Sequence, residues 1–98
     1  MIRIEIQRDR IQIRGHAGYA EKGHDIVCEA VTALAFTLIN CIQELTENHI
    51  SYLVVESGNI DLIEEHPSRE EMLLMDAFSI GVDLLQSVYP QYICVSKH

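Results

Sequence analysis

A segment rich in glycine and histidine, GHAGYAEKGHDIVC at residues 15–28, contains the residue types needed for nucleophilic chemistry. Cys28 and His16 are the candidate pair, because a thiol attacks a carbonyl carbon once a nearby imidazole accepts its proton. Gly15 precedes His16, and the missing side chain would leave space for the backbone of a substrate. The segment therefore favours a Cys–His dyad with Cys28 as nucleophile and His16 as general base.

The position of Cys28 supports this chemistry but also allows a structural role. If Asp25 caps a helix, Cys28 lies in the first turn, where open N–H groups and the helix dipole lower a thiol pKa. The same N–H groups are expected to stabilise an oxyanion. Free cysteines are also common as small core residues, which is our interpretation of Cys41 and Cys94. Position alone leaves both interpretations of Cys28 open, and His16 has the alternative of a polar residue ending a strand.

Other chemistry fits this segment less well. His24 lies four residues before Cys28, but it precedes the predicted helix and no second ligand pair accompanies it, so we expect no metal. The glycines do not follow a phosphate-binding pattern, and no cofactor is expected. The carboxylate of Asp25 is explained as a helix cap, although it could also orient a histidine as the third member of a triad.

Strands are predicted by alternating apolar and polar residues. Residues 1–14 alternate in this way and predict a β-hairpin. Residues 51–57 and 60–65, separated by Gly-Asn, predict a second hairpin. Residues 91–96 predict a last strand.

Two helices are predicted between and after the hairpins. Residues 25–48 predict a long helix that begins at Asp25. Residues 66–90 predict a second helix, whose start carries a capping box between Ser68 and Glu71. We expect its inner face to hold Met72, Met75, Ala77, Phe78, Ile80, Val82, Leu84, Leu85 and Val88.

The order of these elements, β-β-α-β-β-α-β, predicts an α+β fold. We expect a two-layer sandwich in which both helices pack on an antiparallel or mixed sheet, forming a single domain over residues 1–98. The first helix is apolar on most sides, which predicts burial on more than one face. A second helix or a second subunit would cover the other face, so a homodimer is expected.

Charge and hydropathy limit the classes of partner. The formal net charge of −8 argues against nucleic acid and suits a basic protein. The longest apolar stretch, residues 30–42, is shorter than the roughly 20 residues that cross a bilayer, so no membrane association is expected. The N-terminal residues do not resemble a signal peptide, and three cysteines do not suggest disulfide pairing. We therefore expect a cytoplasmic protein with free thiols.

Residues 15–34, GHAGYAEKGHDIVCEAVTAL, resemble the signature of the bacterial ribosomal-processing cysteine proteases of the Prp family. That pattern reads approximately G-H-A, a short loop containing glycine, then G-x-D-I-V-C-A-A-V-S. The matching residues are Gly15, His16, Ala17, Gly18, Gly23, Asp25, Ile26, Val27, Cys28, Ala30 and Val31.

The resemblance implies a function and roles for individual residues. Members of this family are similar in being small dimeric endopeptidases that remove an N-terminal extension from a large-subunit ribosomal protein. It implies that His16 is the base and Cys28 the nucleophile. It also implies that the loop between them moves to admit substrate, with Gly18 and Gly23 as hinges.

Two residues depart from the family pattern. Glu29 stands where the family has alanine, and Thr32 stands where it has serine, keeping the hydroxyl and adding a methyl group. These departures leave the substrate open, so the chain could instead process another protein, for example a phage structural protein. Two alternatives to a protease also stay open. One is a catalytically silenced module that binds the same peptides, and the other is a redox sensor that uses Cys28.

Overall fold

The computed structural model describes residues 1–21, 23–47 and 50–98, so Lys22, Asn48 and His49 lie outside the described residues. The predicted end of the first helix at Asn48 falls on one of them. The predicted order of elements is confirmed in the described residues. The strands are β1 (Ile2–Ile6), β2 (Arg10–Arg14), β3 (Tyr52–Glu56), β4 (Asn59–Ile63) and β5 (Ile93–Lys97), and the helices are α1 (Ile26–Leu45) and α2 (Arg69–Val88).

The strands form one mixed sheet with the order β3-β4-β2-β1-β5. Strands β1 and β5 run parallel, and the other neighbours are antiparallel. Ile13 of β2 pairs with Ile4 of β1 on one side and with Ile60 of β4 on the other. This register places a row of isoleucines on one face of the sheet, because alternate residues of a strand point to opposite faces.

The core lies between this face of the sheet and the two helices. Val31 and Ile42 of α1 and Phe78 and Val82 of α2 are buried there with the inward isoleucines. Burying each such side chain stabilises the fold by about 1.5–3 kcal/mol. The two-layer α+β sandwich predicted from the element order is therefore the observed fold.

Both helix starts are capped as the residue types predict. Asp25 is the N-cap of α1, and its carboxylate accepts hydrogen bonds from the first turn. At the start of α2, Glu71 N donates to Ser68 Oγ at 3.1 Å, and Ser68 N donates to Glu71 Oε1 at 3.1 Å. The predicted capping box is thus confirmed, although α2 begins at Arg69, later than predicted.

The inner face predicted for α2 is partly wrong. Its buried residues are Glu71, Met75, Phe78 and Val82. An apolar stripe runs along the opposite, exposed side of the helix. Its residues are Leu73, Ala77, Ile80, Leu84 and Val88, and the four larger side chains are 63–70% exposed. Because α2 is apolar on both sides, its periodicity does not identify the side that faces the sheet.

The length and hydropathy of α1 bear on the expected absence of membrane association. The helix has 20 residues with a mean hydropathy of 1.7, so by length and composition alone it could cross a membrane. The expectation of no membrane association rested on residues 30–42 alone, and it stays a prediction. The core helix of a small domain meets the same criterion, and Val27, Val31 and Ile42 of α1 are fully or almost fully buried in the core.

Candidate active site

His16 is positioned by the end of β2 and by the turn between β3 and β4. Gly15 N donates to Gly58 O at 2.9 Å, which joins the two segments just beyond their strands. The imidazole of His16 lies against Gly58, since a Cβ added at Gly58 would be 2.7 Å from His16 Nε2. Gly58 also has φ +72°, which favours glycine. Because Gly58 has no side chain, the turn leaves room for the imidazole of His16.

Gly15 allows a close contact with Met1, whereas its position in the sequence suggested space for a substrate. It has φ +91°, and a Cβ at this position would be 2.5 Å from the backbone oxygen of Met1. The α-ammonium group of Met1 donates to the backbone oxygen of His16 at 2.6 Å. The missing side chain of Gly15 therefore allows the start of β1 to approach closely, and the predicted space for a substrate backbone is taken up on that side by Met1.

Cys28 lies in the first turn of α1 and is half-buried. Its Sγ accepts a hydrogen bond from Ala17 N at 3.2 Å. Ala17 directly follows His16, so the same backbone segment carries the imidazole and contacts the thiol. Sequence spacing predicts neither this bond nor its donor, because it depends on how the loop returns to the helix.

Asp25 joins the loop to the start of α1. Its Oδ1 accepts hydrogen bonds from Val27 N at 3.1 Å and Cys28 N at 3.0 Å, and its Oδ2 accepts one from Tyr19 N at 3.1 Å. Burial alone would raise the pKa of Asp25, but these hydrogen bonds lower it overall. Asp25 therefore carries a negative charge beside Cys28, and its carboxylate makes no hydrogen bond to a histidine among the described residues.

The thiol pKa differs from the prediction. Burial raises the pKa of Cys28 above its usual value, and the nearby carboxylate of Asp25 raises it further. The hydrogen bond from Ala17 N lowers the pKa but does not compensate for these effects. Burial and the anionic cap therefore outweigh the predicted effect of the helix start on the pKa of Cys28.

The amides at the start of α1 are already occupied. Val27 N and Cys28 N donate to Asp25 Oδ1, and Glu29 N donates to Asp25 O at 3.0 Å. These bonds compete with an oxyanion for the same amides, and the expectation that the amides stabilise an oxyanion stays a prediction. Ala17 N lies 3.2 Å from Cys28 Sγ, to which it donates a hydrogen bond.

Two cavities flank the candidate dyad, and His16, Cys28 and Ser57 line both of them. The sheet-side cavity has a volume of about 330 Å³, and most of its other lining residues are apolar. They include Ile2, Ile13, Val31, Phe36, Val55 and Ile60. The loop-side cavity has a volume of about 290 Å³ and is lined in addition by Gly18, Ala20, Gly23, Asp25 and Glu29.

The other predicted site residues are divided between these cavities. Thr32 lines the sheet-side cavity and is half-buried. Gly18 and Gly23 have φ +70° and φ +88°, and an added Cβ would meet no atom within 4 Å. The two glycines thus allow tight backbone turns in an open loop, while their role as hinges stays a prediction. His24 lines neither cavity.

The loop contacts the segment between α2 and β5 through aromatic side chains that sequence reasoning missed. The ring of Tyr19 packs edge-on against Tyr89 at 5.8 Å and against Tyr92 at 5.2 Å between ring centroids. Such pairs stabilise by about 0.5–1.5 kcal/mol beyond their buried area. The loop is therefore held at Tyr19 by these rings and by the bond from its amide to Asp25.

No group of three or more metal-ligating side chains occurs in residues 1–21, 23–47 and 50–98. Cys28, Cys41 and Cys94 are all free thiols, and all are half-buried. The site thus consists of a thiol, an imidazole and backbone amides. This set of groups can carry out nucleophilic attack and proton transfer.

Comparison with known proteins identifies similar chains along the whole sequence. Residues 1–94 match the family model described as cysteine protease Prp. The ribosomal processing cysteine protease Prp of Mycoplasma genitalium is 29% identical, covering 99% of this chain and 96% of its own. The protein of the same name from Mycoplasma pneumoniae is 26% identical over 95% of this chain and 91% of its own.

A solved structure has the same fold. The ribosomal processing protease Prp from S. aureus, in complex with a covalently linked product peptide, superposes with a TM-score of 0.93. The two chains are 22% identical, and the superposition covers all of both. At this level of identity the likeness establishes the architecture.

Proposed function

The chain belongs to the cysteine protease Prp family, and we propose that it removes an N-terminal extension from a large-subunit ribosomal protein, with Cys28 as nucleophile and His16 as base. As a member of this family it is a cysteine protease. The substrate and the roles of the two residues are the proposal. The observation that carries it is that His16 and Cys28 both line the two adjoining cavities, while Ala17 N contacts the thiol.

The raised pKa of Cys28 determines how the reaction begins. Because the thiol keeps its proton at neutral pH, a base must remove it as the sulfur attacks. His16 accepts this proton while the Sγ–carbon bond forms at the scissile carbonyl. His16 then gives the proton to the leaving amine as the carbon–nitrogen bond breaks. Water next loses a proton to His16 and attacks the acyl group, and the carbon–sulfur bond breaks to regenerate the thiol.

The oxyanion of the tetrahedral intermediate needs a hydrogen-bond donor close to Cys28. We assign this role to Ala17 N, which is 3.2 Å from the sulfur on which the intermediate forms. When the sulfur becomes bonded to carbon, this amide can shift its hydrogen bond to the oxyanion. The amides of Val27 and Cys28 are less suited to the role because Asp25 already accepts from both.

The substrate segment binds in an extended conformation in this proposal. β3 is an edge strand of the sheet, and Val55 and Glu56 at its end line the sheet-side cavity. An extended peptide can pair with the free edge of β3. An apolar side chain of the peptide then enters the sheet-side cavity, whose lining is mainly isoleucine, valine and phenylalanine.

Charge supports a basic protein substrate. The formal net charge of −8 attracts a basic ribosomal protein and speeds the encounter. The same charge disfavours direct binding to nucleic acid. We place the reaction in the cytoplasm, where ribosomal proteins are made, without membrane association.

We also propose that the protein is a homodimer through the apolar stripe of α2. The stripe extends from Leu73 to Val88, a helix length of about 22 Å. Its four larger side chains are 63–70% exposed, so they gain from being covered. Two copies of α2 related by a two-fold axis would pack stripe against stripe, since an isologous interface uses the same surface twice.

Cleavage of N-terminal extension peptides from ribosomal proteins, followed by mass spectrometry, tests the proposed function. Wild type should cleave at one bond, and Cys28→Ala and His16→Ala should each lose at least about 10³-fold in kcat/KM. Cys41→Ala is the matched control, because Cys41 lines neither cavity and should cleave like wild type.

Other outcomes separate the alternatives. If wild type binds the peptides and leaves them intact, the protein is a silenced binding module. If it neither binds nor cleaves any ribosomal peptide but cleaves another protein, the ribosomal substrate is wrong. Loss of the Cys28 thiol on mild oxidation, reversed by reduction and without peptide cleavage, would support a redox sensor.

A further inference from the structure

We propose that Glu29 is a specificity-determining residue that binds a basic side chain of the substrate in the loop-side cavity. The inference rests on the proposed function, because it concerns the peptide that Cys28 attacks. Glu29 directly follows the nucleophile in the first turn of α1, and both residues line this cavity.

Among the residues that the structure describes, the acidic residues that line the loop-side cavity are Asp25 and Glu29. Apart from these two and the candidate dyad, none of its described lining residues is ionisable. Asp25 is 7% exposed, and both of its carboxylate oxygens accept hydrogen bonds from backbone amides. Asp25 is therefore committed to holding the loop and the helix start.

The carboxylate of Glu29 is in a different situation. The residue is exposed, and within residues 1–21, 23–47 and 50–98 its side chain makes no hydrogen bond or ion pair. Its backbone N donates to Asp25 O at 3.0 Å, which fixes the position of the residue in the first turn. A fixed backbone and an uncommitted carboxylate at the cavity suit the binding of a lysine or arginine side chain.

The two cavities then select different residues of one peptide. Cys28 and His16 line both cavities, so we expect the residues before and after the scissile bond to enter different cavities. The sheet-side cavity takes an apolar side chain, and the loop-side cavity takes a basic one. The preferred substrate therefore has an apolar residue on one side of the scissile bond and a basic residue on the other.

Glu56 is the competing carboxylate. It is exposed at the end of β3 and lines the sheet-side cavity. If Glu56 caused a preference for basic peptides, the preferred lysine would lie on the same side of the scissile bond as the apolar residue. Neutralising each glutamate separately distinguishes the two sources.

The test uses peptides of one cleavable sequence in which a single position is lysine, norleucine or glutamate. This position is moved along both sides of the scissile bond, and kcat/KM is measured for wild type, Glu29→Gln, Glu29→Lys and Glu56→Gln. Glu44→Gln is the matched control, since it removes one charge from the far end of α1. Affinities of the same peptides for Cys28→Ala, with and without Glu29→Gln, are measured by fluorescence anisotropy and give a readout that does not need cleavage.

We expect wild type to prefer lysine over norleucine by about three- to tenfold at one position on the side away from the apolar residue, as for a partly exposed charge pair. The ratio should fall to about one in Glu29→Gln, and Glu29→Lys should prefer glutamate. Glu56→Gln and Glu44→Gln should keep the wild-type ratio at this position. The preference should also weaken as salt is raised.

Two results would overturn the inference: equal use of lysine and norleucine by wild type at every position, or a preference that survives in Glu29→Gln. If wild type cleaves no peptide, the proposed function fails. In that case a lysine preference in binding that requires Glu29 still supports the inference, and its absence overturns it.

Discussion

Asp25 shows how one residue can serve the fold at some cost to the chemistry. Its carboxylate accepts three backbone hydrogen bonds, one from Tyr19 in the loop and two from the first turn of α1. The same charge raises the pKa of Cys28. Burial and the anion that caps the helix thus both raise the pKa of Cys28, which increases the need for a base in the proposed reaction.

Gly58 gives a prediction at the residue scale. In Gly58→Ala the new Cβ would lie 2.7 Å from His16 Nε2, so the imidazole must move. We expect kcat/KM to fall by about 10- to 100-fold, mainly through kcat, because a displacement of about 1 Å is enough for such a loss. The positive φ of this residue should also cost about 1 kcal/mol of stability or more. Steady-state kinetics and denaturant unfolding measure the two effects.

Gly18→Ala is the comparison for this prediction. Gly18 has a similar φ, but an added Cβ would meet no atom within 4 Å. It should therefore lose comparable stability and much less activity. Equal losses of activity in the two variants would mean that backbone strain, and not contact with His16, explains the effect of Gly58→Ala.

Residue type and local spacing predicted those site residues whose role depends only on their neighbours in the sequence. Asp25 as a helix cap follows from its type and from the apolar run after it. Gly58 and Ser57 could not be assigned to the site, because their approach to His16 depends on the pairing of β2 with β4. That pairing joins segments far apart in sequence, and a Ser-Gly dipeptide by itself indicates only a turn.

At the scale of elements, the start of α2 contains a pair of buried carboxyl groups. Glu71 is 0% and Glu64 4% exposed. Glu71 Oε1 belongs to the capping box, and Glu64 Oε1 accepts a hydrogen bond from Ser51 Oγ at 3.0 Å. Burial raises the pKa of Glu71, and the neighbouring carboxyl of Glu64 raises it further. The junction of β4 with α2 therefore becomes less stable when both groups are ionised.

This pair predicts a particular dependence of stability on pH. A raised pKa in the folded state gives stability that is present below the pKa of the unfolded chain and is lost as pH rises through the folded pKa. Glutamine at position 71 keeps an oxygen that can accept the hydrogen bond of the capping box, and its side chain cannot ionise. The free energy of unfolding of wild type should thus decline relative to Glu71→Gln as pH rises above the usual glutamate pKa of about 4.3.

Urea unfolding at a series of pH values checks this expectation. Glu70→Gln is the matched control, because Glu70 is its exposed neighbour in the same helical turn. That variant should follow the wild-type dependence on pH. Parallel curves for wild type and Glu71→Gln would contradict the role given to the carboxyl pair.

The elements themselves were largely predictable, but one helix face was not. Alternation and capping residues identified every strand and helix, with ends shifted by a few residues. The face of α2 that meets the sheet was assigned incorrectly at Ala77, Ile80, Leu84 and Val88, which are exposed. Burial of Glu71 on the inner face could not be predicted from the sequence, because the burial of a carboxyl group depends on partners from other elements.

At the scale of the whole molecule, the apolar stripe of α2 predicts the oligomeric state. Ile80→Glu places a charge near the middle of the stripe, and burying it in a symmetric interface would be costly. We expect wild type to be a dimer and Ile80→Glu a monomer at the same concentration, by sedimentation or light scattering. The variant should keep its fold, since Ile80 is 63% exposed.

Gln43→Glu is the control for this prediction. It adds one negative charge at an exposed position on α1, outside the stripe. It should remain a dimer. A monomeric wild type would exclude the proposed interface, and a dimeric Ile80→Glu would place the interface on another surface.

The hydrogen bond between Gly15 and Gly58 has a consequence for the time at which the protein can first act. His16 is supported by the turn after β3, while Cys28 is held at the start of α1, so we expect an unfinished chain to have no working site. We expect cleavage that uses both residues to begin only after the sheet is complete, so the chain should be inactive during its own synthesis.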